Sequence, residues 1–487
     1  MNKIVHLIFL TILVFAFNPI SAQNRPNVLF IAVDDLRPEL GCYGNDIIKS
    51  PNIDKLANVG RVFNNHFVQA PTCGASRHSM LTSMYPKSQH ELSNHITYHY
   101  SEDGNPESFV HALKMNGYYT LNIGKISHSA DGYVYGYTEQ VSDKKEMPNS
   151  WDEICFNNGK WGTGWNAFFG YANGENRQSM NKMVKPYECG DVDDYGYPDG
   201  LSAKLAITKL KELKDKGQPF FLGLGFFKPH LPFTAPKKYW DLYNESDLPL
   251  SPVSCIPENV NKKSLHSSGE LNGYKLGDEK AGLDYPVSDE YARKLTHAYY
   301  ASISYIDAQI GKVIEELKKL GLYENTIIVI WGDHGWHLGD QLVWGKHTLF
   351  ENALRSTLII KTPEMKKSGV STDGIVESID IYPTLMDLCD LESPSGIDGK
   401  SFIRLLRSPS KKGKRAAYGY FNKGITIRTK DYRLTKYFRE ETPIIELYDH
   451  KMARLESKNI AEGNKKIVEK LMKILVKANT ELYNNKK

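Results

Sequence analysis

Cysteine is scarce in this chain: six residues among 487. So few thiols exclude a small disulfide-stapled module, and a chain of this length buries a core without covalent help. If Cys73 is set aside for chemistry, five thiols remain and at least one more is unpaired. Cys155 with Cys189 is the candidate bridge. An excess of one charge is also missing, since 61 Lys and Arg face 57 Asp and Glu for a net charge of +4. A balance this even gives no basis for a nucleic-acid partner. The lysine-rich stretches Lys411 to Arg415 and Lys486-Lys487 read as solvated surface. Beyond residue 22 no apolar run approaches the length of a membrane span, which excludes a spanning anchor in the mature chain. Internal repeats are absent.

One apolar run exists, Ile4 to Phe17, preceded by Lys3 and followed by the small-residue site Ile20-Ser21-Ala22. That order is the pattern of a secretory signal peptide, and no cysteine follows Ala22 to carry a lipid anchor. The expected organisation is a signal peptide over 1–22, a catalytic domain over 23–410 and a C-terminal subdomain over 411–487. Export to a periplasm or to the outside of the cell follows from it.

The mature chain alternates short apolar runs with helical patterns. Asn27 to Val33, Tyr118 to Ile123, Pro219 to Phe227, Thr326 to Trp331 and Thr357 to Lys361 have the continuous apolar and β-branched character of strands buried on both faces. Phe63 to Val68 is a further strand. Between them, Ile53 to Val59, a segment starting near Cys73, Phe109 to Met115, Leu201 to Lys214 and a long stretch through Leu295 to Leu317 carry helical periodicity. Residues 130–200 and 241–288 have little periodicity and read as ordered loops. The fold class is therefore α/β, a doubly wound and mostly parallel sheet. After residue 410, four short strands (Ala416 to Phe421, Ile425 to Thr429, Tyr432 to Phe438, Ile444 to Tyr448) and a helix over Ala461 to Leu482 predict a small antiparallel α+β subdomain.

Four strand ends carry polar residues able to do chemistry: Asp34-Asp35, Lys125 with His128, His230, and Asp333-His334. In open parallel sheets the ligand lies beyond the carboxyl ends of the strands, so these groups are expected to converge. Three carboxylates brought together repel one another unless a hard, oxygen-preferring cation joins them, calcium ahead of magnesium. Each aspartate has a plainer reading as the cap of the helix after its strand, and each histidine as a loop residue with a satisfied hydrogen bond. Arg77, Lys125 and Lys346 are cations suited to an anionic group. His128 and His230 are able to move protons near neutral pH. In Pro71 to Pro86, a helix beginning at Cys73 sets Cys73 and Arg77 on one face above an N-terminus that favours an anion.

The set Asp34-Asp35, Ser50-Pro51-Asn52-Ile53-Asp54, Cys73-x-Ala75-x-Arg77 with Leu81-Thr82, Gly124-Lys125, Lys228-Pro229-His230, Asp333-His334-Gly335 and Lys346 resembles the formylglycine-dependent sulfatases of the alkaline phosphatase superfamily. Glu446-Leu447-Tyr448-Asp449 resembles their C-terminal subdomain. Asp34 to Pro38, Leu40 to Gly44, Lys125-x-x-His128 and Asp333 to Trp336 look most like the iduronate-2-sulfatase branch. The resemblance implies a sulfuric ester hydrolase whose Cys73 a maturation enzyme oxidises to formylglycine, and whose hydrated aldehyde attacks sulfur. It implies Asp34, Asp35, Cys73, Asp333 and His334 around a calcium ion, with Arg77 steadying the nucleophile and Lys125 and Lys346 holding sulfate oxygens. His230 would protonate the leaving alcohol and His128 would assist sulfate release. Ala75 stands where proline is commoner, which bears on the maturation system, and Ser83 where glycine often is.

The substrate this implies is a sulfated polysaccharide or its oligosaccharides, carrying a uronate 2-sulfate or a sulfated sugar of an algal polymer such as ulvan or carrageenan. Asn94, His95 and Trp336 are candidate sugar contacts, each with packing as the alternative. A phosphatase or phosphodiesterase of the same superfamily, or a non-catalytic sugar-binding relative, are the competing readings. The first would want Ser or Thr as nucleophile and a second metal-ligand set.

Overall fold

The computed structural model describes residues 25–98, 107–451, 454–478 and 480–483. The expected signal peptide lies outside them. Seven strands make the central sheet: β1 (Asn27–Val33), β2 (Arg61–Val62), β3 (Tyr119–Gly124), β4 (Glu153–Cys155), β5 (Phe220–Phe226), β6 (Thr326–Gly332) and β7 (Leu358–Lys361). Their spatial order is β2-β7-β6-β1-β5-β3-β4. The five strands from β6 to β4 run parallel, and β7 pairs antiparallel with both β6 and β2.

Every residue of β1 is buried because both faces of the sheet are covered. Its side chains alternate between two cores, as the period of two requires. Leu29, Ile31 and Val33 meet the helices α4 (Pro198–Lys216) and α5 (Asp289–Lys319), through residues such as Leu210, Tyr299 and Ile306. Val28, Phe30 and Ala32 face the opposite layer, which holds Met80 and Leu81 of one helix (Cys73–Thr82) and Phe109 and Leu113 of another (Phe109–Met115). With Pro51–Ala57 as α1, these two are α2 and α3, numbered in chain order. The doubly wound α/β architecture follows from that two-sided burial.

Register positions the site. Val33 lies beside both Phe226 and Gly332, and Gly124 beside Gly225. Strands β1, β3, β5 and β6 therefore end side by side, and the next residues emerge along one edge. The close approach of β3 to β5 depends on glycine. A Cβ on Gly225 would stand 2.3 Å from the Lys125 carbonyl, and Gly124 has φ +72°.

Residues 417–449 form a separate antiparallel sheet of β8 (Ala417–Phe421), β9 (Gly424–Arg428), β10 (Tyr432–Tyr437) and β11 (Ile444–Asp449). The helix α6 (Lys465–Leu475) covers it, with Leu471, Ile474 and Leu475 packed on Ile425, Ile427, Leu434 and Leu447. On the side of the larger sheet, Glu351 meets Arg428 at 2.8 Å and Arg433 at 2.5 Å, and Arg433 meets Glu456 at 2.6 Å, all buried. Removing one partner of such a cluster costs about 3–5 kcal/mol, because the other charge is left without compensation.

Three sequence expectations are corrected. The strand over Phe63 to Val68 is two fragments, Arg61–Val62 and His66–Phe67, in different sheets. Between them the side chains of Asn64 and Asn65 bond Asp373, which breaks the run. Cys155 and Cys189 are both free; Cys155 donates to Glu153, while Cys189 is exposed in Tyr187–Gly190. The last helix is shorter than expected, with 3-10 turns at Glu462–Asn464 and Thr480–Tyr483 flanking Lys465–Leu475. One motif has a packing role: Asp307 on α5 accepts the backbone N–H groups of Asn52 (3.0 Å) and Ile53 (2.7 Å) at the start of α1.

Candidate active site

Helix α2 begins at Cys73, and its first turn points at the converging strand ends. Gly74 makes this docking tight, because a Cβ there would stand 2.5 Å from the Asn94 Cα. Asn94 Oδ1 accepts the Gly74 N–H at 2.9 Å, capping an otherwise open donor of the helix start. Cys73 is buried, with its Sγ 3.2 Å from His334 Nε2 and 3.4 Å from Lys346 Nζ. Burial, then the Asp34 carboxylate, pushes its thiol up to about 12. The residue is therefore a neutral thiol at pH 7 and a poor nucleophile in that form.

Three fully buried carboxylates sit beside it. Asp35 takes a left-handed backbone, φ +61°, and its N–H donates to Asp333 Oδ1 at 3.0 Å. That turn throws Asp34 and Asp35 to different partners. Asp34 faces Lys125 Nζ at 2.5 Å and Arg77 Nη2 at 3.6 Å, whereas Asp35 faces Lys346 Nζ at 2.9 Å and His334 Nδ1 at 3.3 Å. Burial raises both; for Asp34, Lys125, His230 and Arg77 together outweigh it and hold the carboxyl well below its ordinary value. For Asp35 burial prevails over Lys346, and the neighbouring Asp34 charge adds to it, so its carboxyl lies well above. Arg77 spans the group, donating Nε to Asp333 Oδ2 at 2.9 Å and Nη1 to the Lys125 carbonyl.

Ligand atoms of Asp34, Cys73, Asp333 and His334 all lie within 4.8 Å of one another, and Asp34 Oδ1 is buried with no hydrogen-bond partner. The two carboxylates of this set, with Asp35 beside them and the Asp34 oxygen left unsatisfied, fit a hard divalent cation. Asp35, Cys73 and His230 make an overlapping group.

A cavity of about 670 Å³ opens over Cys73. Lys125, His128, His230 and Lys346 line it, so the sequence candidates from β3, β5 and the segment after β6 reach one space. His128 is buried against Trp165, its Nδ1 without a hydrogen-bond partner, and burial followed by the Lys125 charge holds the ring well below its ordinary value. His230 donates Nδ1 to the Leu231 carbonyl at 2.6 Å, leaving Nε2 3.0 Å from Glu270 Oε1. Burial, then the Lys346 charge, lowers the imidazole to about 4 against the opposing pull of Glu270, whose own carboxyl the Lys346 and His230 charges hold well below its ordinary value despite burial.

The three sugar-contact candidates separate. Asn94 lines the cavity. His95 is exposed and is not part of the lining. Trp336 is fully buried, edge-on to Phe233 with Lys346 Nζ 5.4 Å from its ring centre, and is not part of the lining. Several lining residues escape sequence reasoning. Glu270 and His266 come from 241–288 and Arg177 from 130–200, where no periodicity marks a functional position. Arg439 and Asn422 come from the turns of the C-terminal sheet. His347 was within reach of sequence reasoning, as the immediate neighbour of Lys346.

A family model described as Sulfatase matches residues 26–391, and one described as N-sulphoglucosamine sulphohydrolase, C-terminal, matches residues 332–481. Iduronate 2-sulfatase of Mus musculus is 31% identical over 407 residues, spanning 77% of this chain and 70% of the relative. Among solved structures, BT4656 in complex with D-glucosamine-2-N,6-O-disulfate superposes with a TM-score of 0.72 at 21% identity, covering 95% of this chain and 99% of that one. A phosphonate monoester hydrolase from Silicibacter pomeroyi gives 0.75 at 22% identity, covering 95% and 96%. At such identities these two show the common fold.

Proposed function

This chain belongs to the sulfatase family and is a sulfuric ester hydrolase, and from that premise we propose that it is an exported enzyme that removes sulfate from a sulfated polysaccharide or its oligosaccharides. The observation that carries the reading is the setting of Cys73: a buried side chain at the start of α2, between Lys346 Nζ and His334 Nε2 and beside three carboxylates. A neutral thiol gains nothing from such surroundings. Formylglycine, made from Cys73 by a maturation enzyme, supplies there a hydrated aldehyde whose oxygen is nucleophilic at neutral pH.

Asp34, Asp35, Asp333 and His334 would hold calcium, with Cys73 as the fifth position. The ion supplies positive charge beside the sulfate and lowers the cost of gathering these carboxylates. Lys125 and Lys346 each keep an ammonium facing the cavity, where sulfate oxygens gather charge in the transition state. Arg77 keeps Asp34 and Asp333 apart and fixed. His230, which lines the cavity with its Nε2 3.0 Å from Glu270 Oε1, is the group to protonate the leaving sugar oxygen, and His128, neutral in its buried pocket, is the group to accept a proton. Asn94 is the proposed contact to the sugar, His95 and Trp336 acting only around the cavity. Export rests on the residue pattern over 1–22, and the boundary of the C-terminal subdomain is proposed near residue 410. Uronate 2-sulfates and sulfated algal sugars are the substrates to try first.

The test is sulfate release from sulfated oligosaccharides by protein made in a host that has the maturation enzyme. Wild type is expected to release sulfate, and Cys73→Ala to lose it by a factor of about 10³ or more with an unchanged melting temperature. Full activity in Cys73→Ala, or phosphate release exceeding sulfate release, contradicts the reading.

A further inference from the structure

The cavity holds more positive charge than one sulfate group requires. Lys125 and Lys346 are committed to Asp34 and Asp35, and Lys263 pairs with Glu440 at 2.9 Å. Arg177 and Arg439 also line the cavity, and neither makes an ion pair with a carboxylate among the described residues. Glu270 is the one carboxylate among the described lining residues, and it is engaged by His230.

Each arginine is held in place without its charge being neutralised. Arg439 donates Nε to the Asn422 carbonyl at 2.9 Å and Nη1 to the Lys263 carbonyl, and its guanidinium lies 4.1 Å from the centre of the Tyr437 ring. No bond from Nη2 exists among the described residues. Arg177 lies 3.7 Å from the centre of the Phe169 ring and 5.3 Å from that of Tyr274, and its Nε is buried with no hydrogen-bond partner. A guanidinium stacked on a ring keeps its in-plane N–H edge free for a planar or tetrahedral oxyanion, and its position is set before the ligand arrives. The two arginines come from unrelated parts of the chain, the loop before α4 and the turn after β10, and meet in this one space.

We propose that Arg177 and Arg439 form a second anion subsite, so that the substrate carries an anionic group, a carboxylate or another sulfate, besides the sulfate that is removed. This rests on the sulfatase reading, and makes the C-terminal sheet a supplier of specificity through Arg439. A sugar with a single sulfate leaves both guanidinia unmatched, whereas one with two anionic groups pairs them.

The experiment compares wild type, Arg177→Gln and Arg439→Gln on three substrates: 4-nitrophenyl sulfate, a monosulfated disaccharide containing a uronate, and a disulfated disaccharide without a carboxylate. The expected result is a fall of about 10- to 100-fold in the ratio of kcat/KM for a dianionic sugar to that for 4-nitrophenyl sulfate, in both variants. Which of the two disaccharides shows the fall identifies the group as carboxylate or sulfate. An unchanged ratio for both disaccharides overturns the proposal. If wild type releases no sulfate from any substrate, the sulfatase reading fails, and calorimetric binding of the two disaccharides decides the subsite separately: weaker binding by both variants supports it, equal binding overturns it. Melting temperatures identify a misfolded variant; should Arg177→Gln misfold, Arg439→Gln with rescue by Arg439→Lys carries the comparison.

Discussion

Asp34 and Asp35 are adjacent, fully buried and alike, yet their environments drive them in opposite directions. The left-handed turn at Asp35 is what separates them, since it gives each its own lysine. Backbone of this kind persists in a non-glycine residue when the surroundings over-determine it, here through the Asp35 N–H donating to Asp333 and the Tyr299 hydroxyl donating to the Asp35 carbonyl. A cation beside Asp34 Oδ1 would relieve the repulsion that remains. Calcium is therefore expected to stabilise the fold against a chelator, by about 2.7 kcal/mol at a free concentration a hundred times its Kd. Thermal melts with and without chelator check this, and Asp34→Asn should abolish the difference. Identical melts for wild type would mean that these carboxylates hold no ion.

At the scale of elements, convergence depends on strands that end abreast and on glycines that let them approach. Gly225→Ala should push β3 from β5, because its Cβ would stand 2.3 Å from the Lys125 carbonyl. A loss of about 1–3 kcal/mol by urea denaturation is expected, with a larger fractional loss of activity as Lys125 shifts. Buried strands were legible because NVLFIAV and TIIVIW are continuous apolar runs, and their polar ends announced the site. The antiparallel direction of β7 was not legible, since LIIK reads the same either way. Nor were Glu270, Arg177 and Arg439, which reach the cavity through loops and turns whose paths are set by tertiary packing. Trp336 misled for the opposite reason: it follows the Asp333-His334-Gly335 motif, but its indole turns inward against Phe233.

The whole molecule carries buried neutral histidines, and this makes it acid-sensitive. His66 donates Nδ1 to the Ser356 carbonyl and accepts from the Ser378 hydroxyl at Nε2, and His337 is held likewise by the Asp340 carbonyl and the Thr348 hydroxyl. Burial lowers both from 6.5 to about 4. Between those values the unfolded chain binds protons that the folded chain refuses. Their contribution is thus fully present above about pH 6.5 and is lost as pH falls toward 4. Melting temperature should decline across that window, and His66→Gln should make the decline shallower. A flat profile would contradict the neutral assignment. Among the described residues no helix is long and apolar enough to cross a membrane.

All of these groups are arranged about one side chain that is unreactive as translated, so the chemical state of Cys73 is the measurement that matters most. Mass spectrometry of the peptide containing Cys73, taken from protein made in its native host, is predicted to show an aldehyde in place of the thiol. Unmodified cysteine throughout, in protein that nonetheless releases sulfate, would contradict the account.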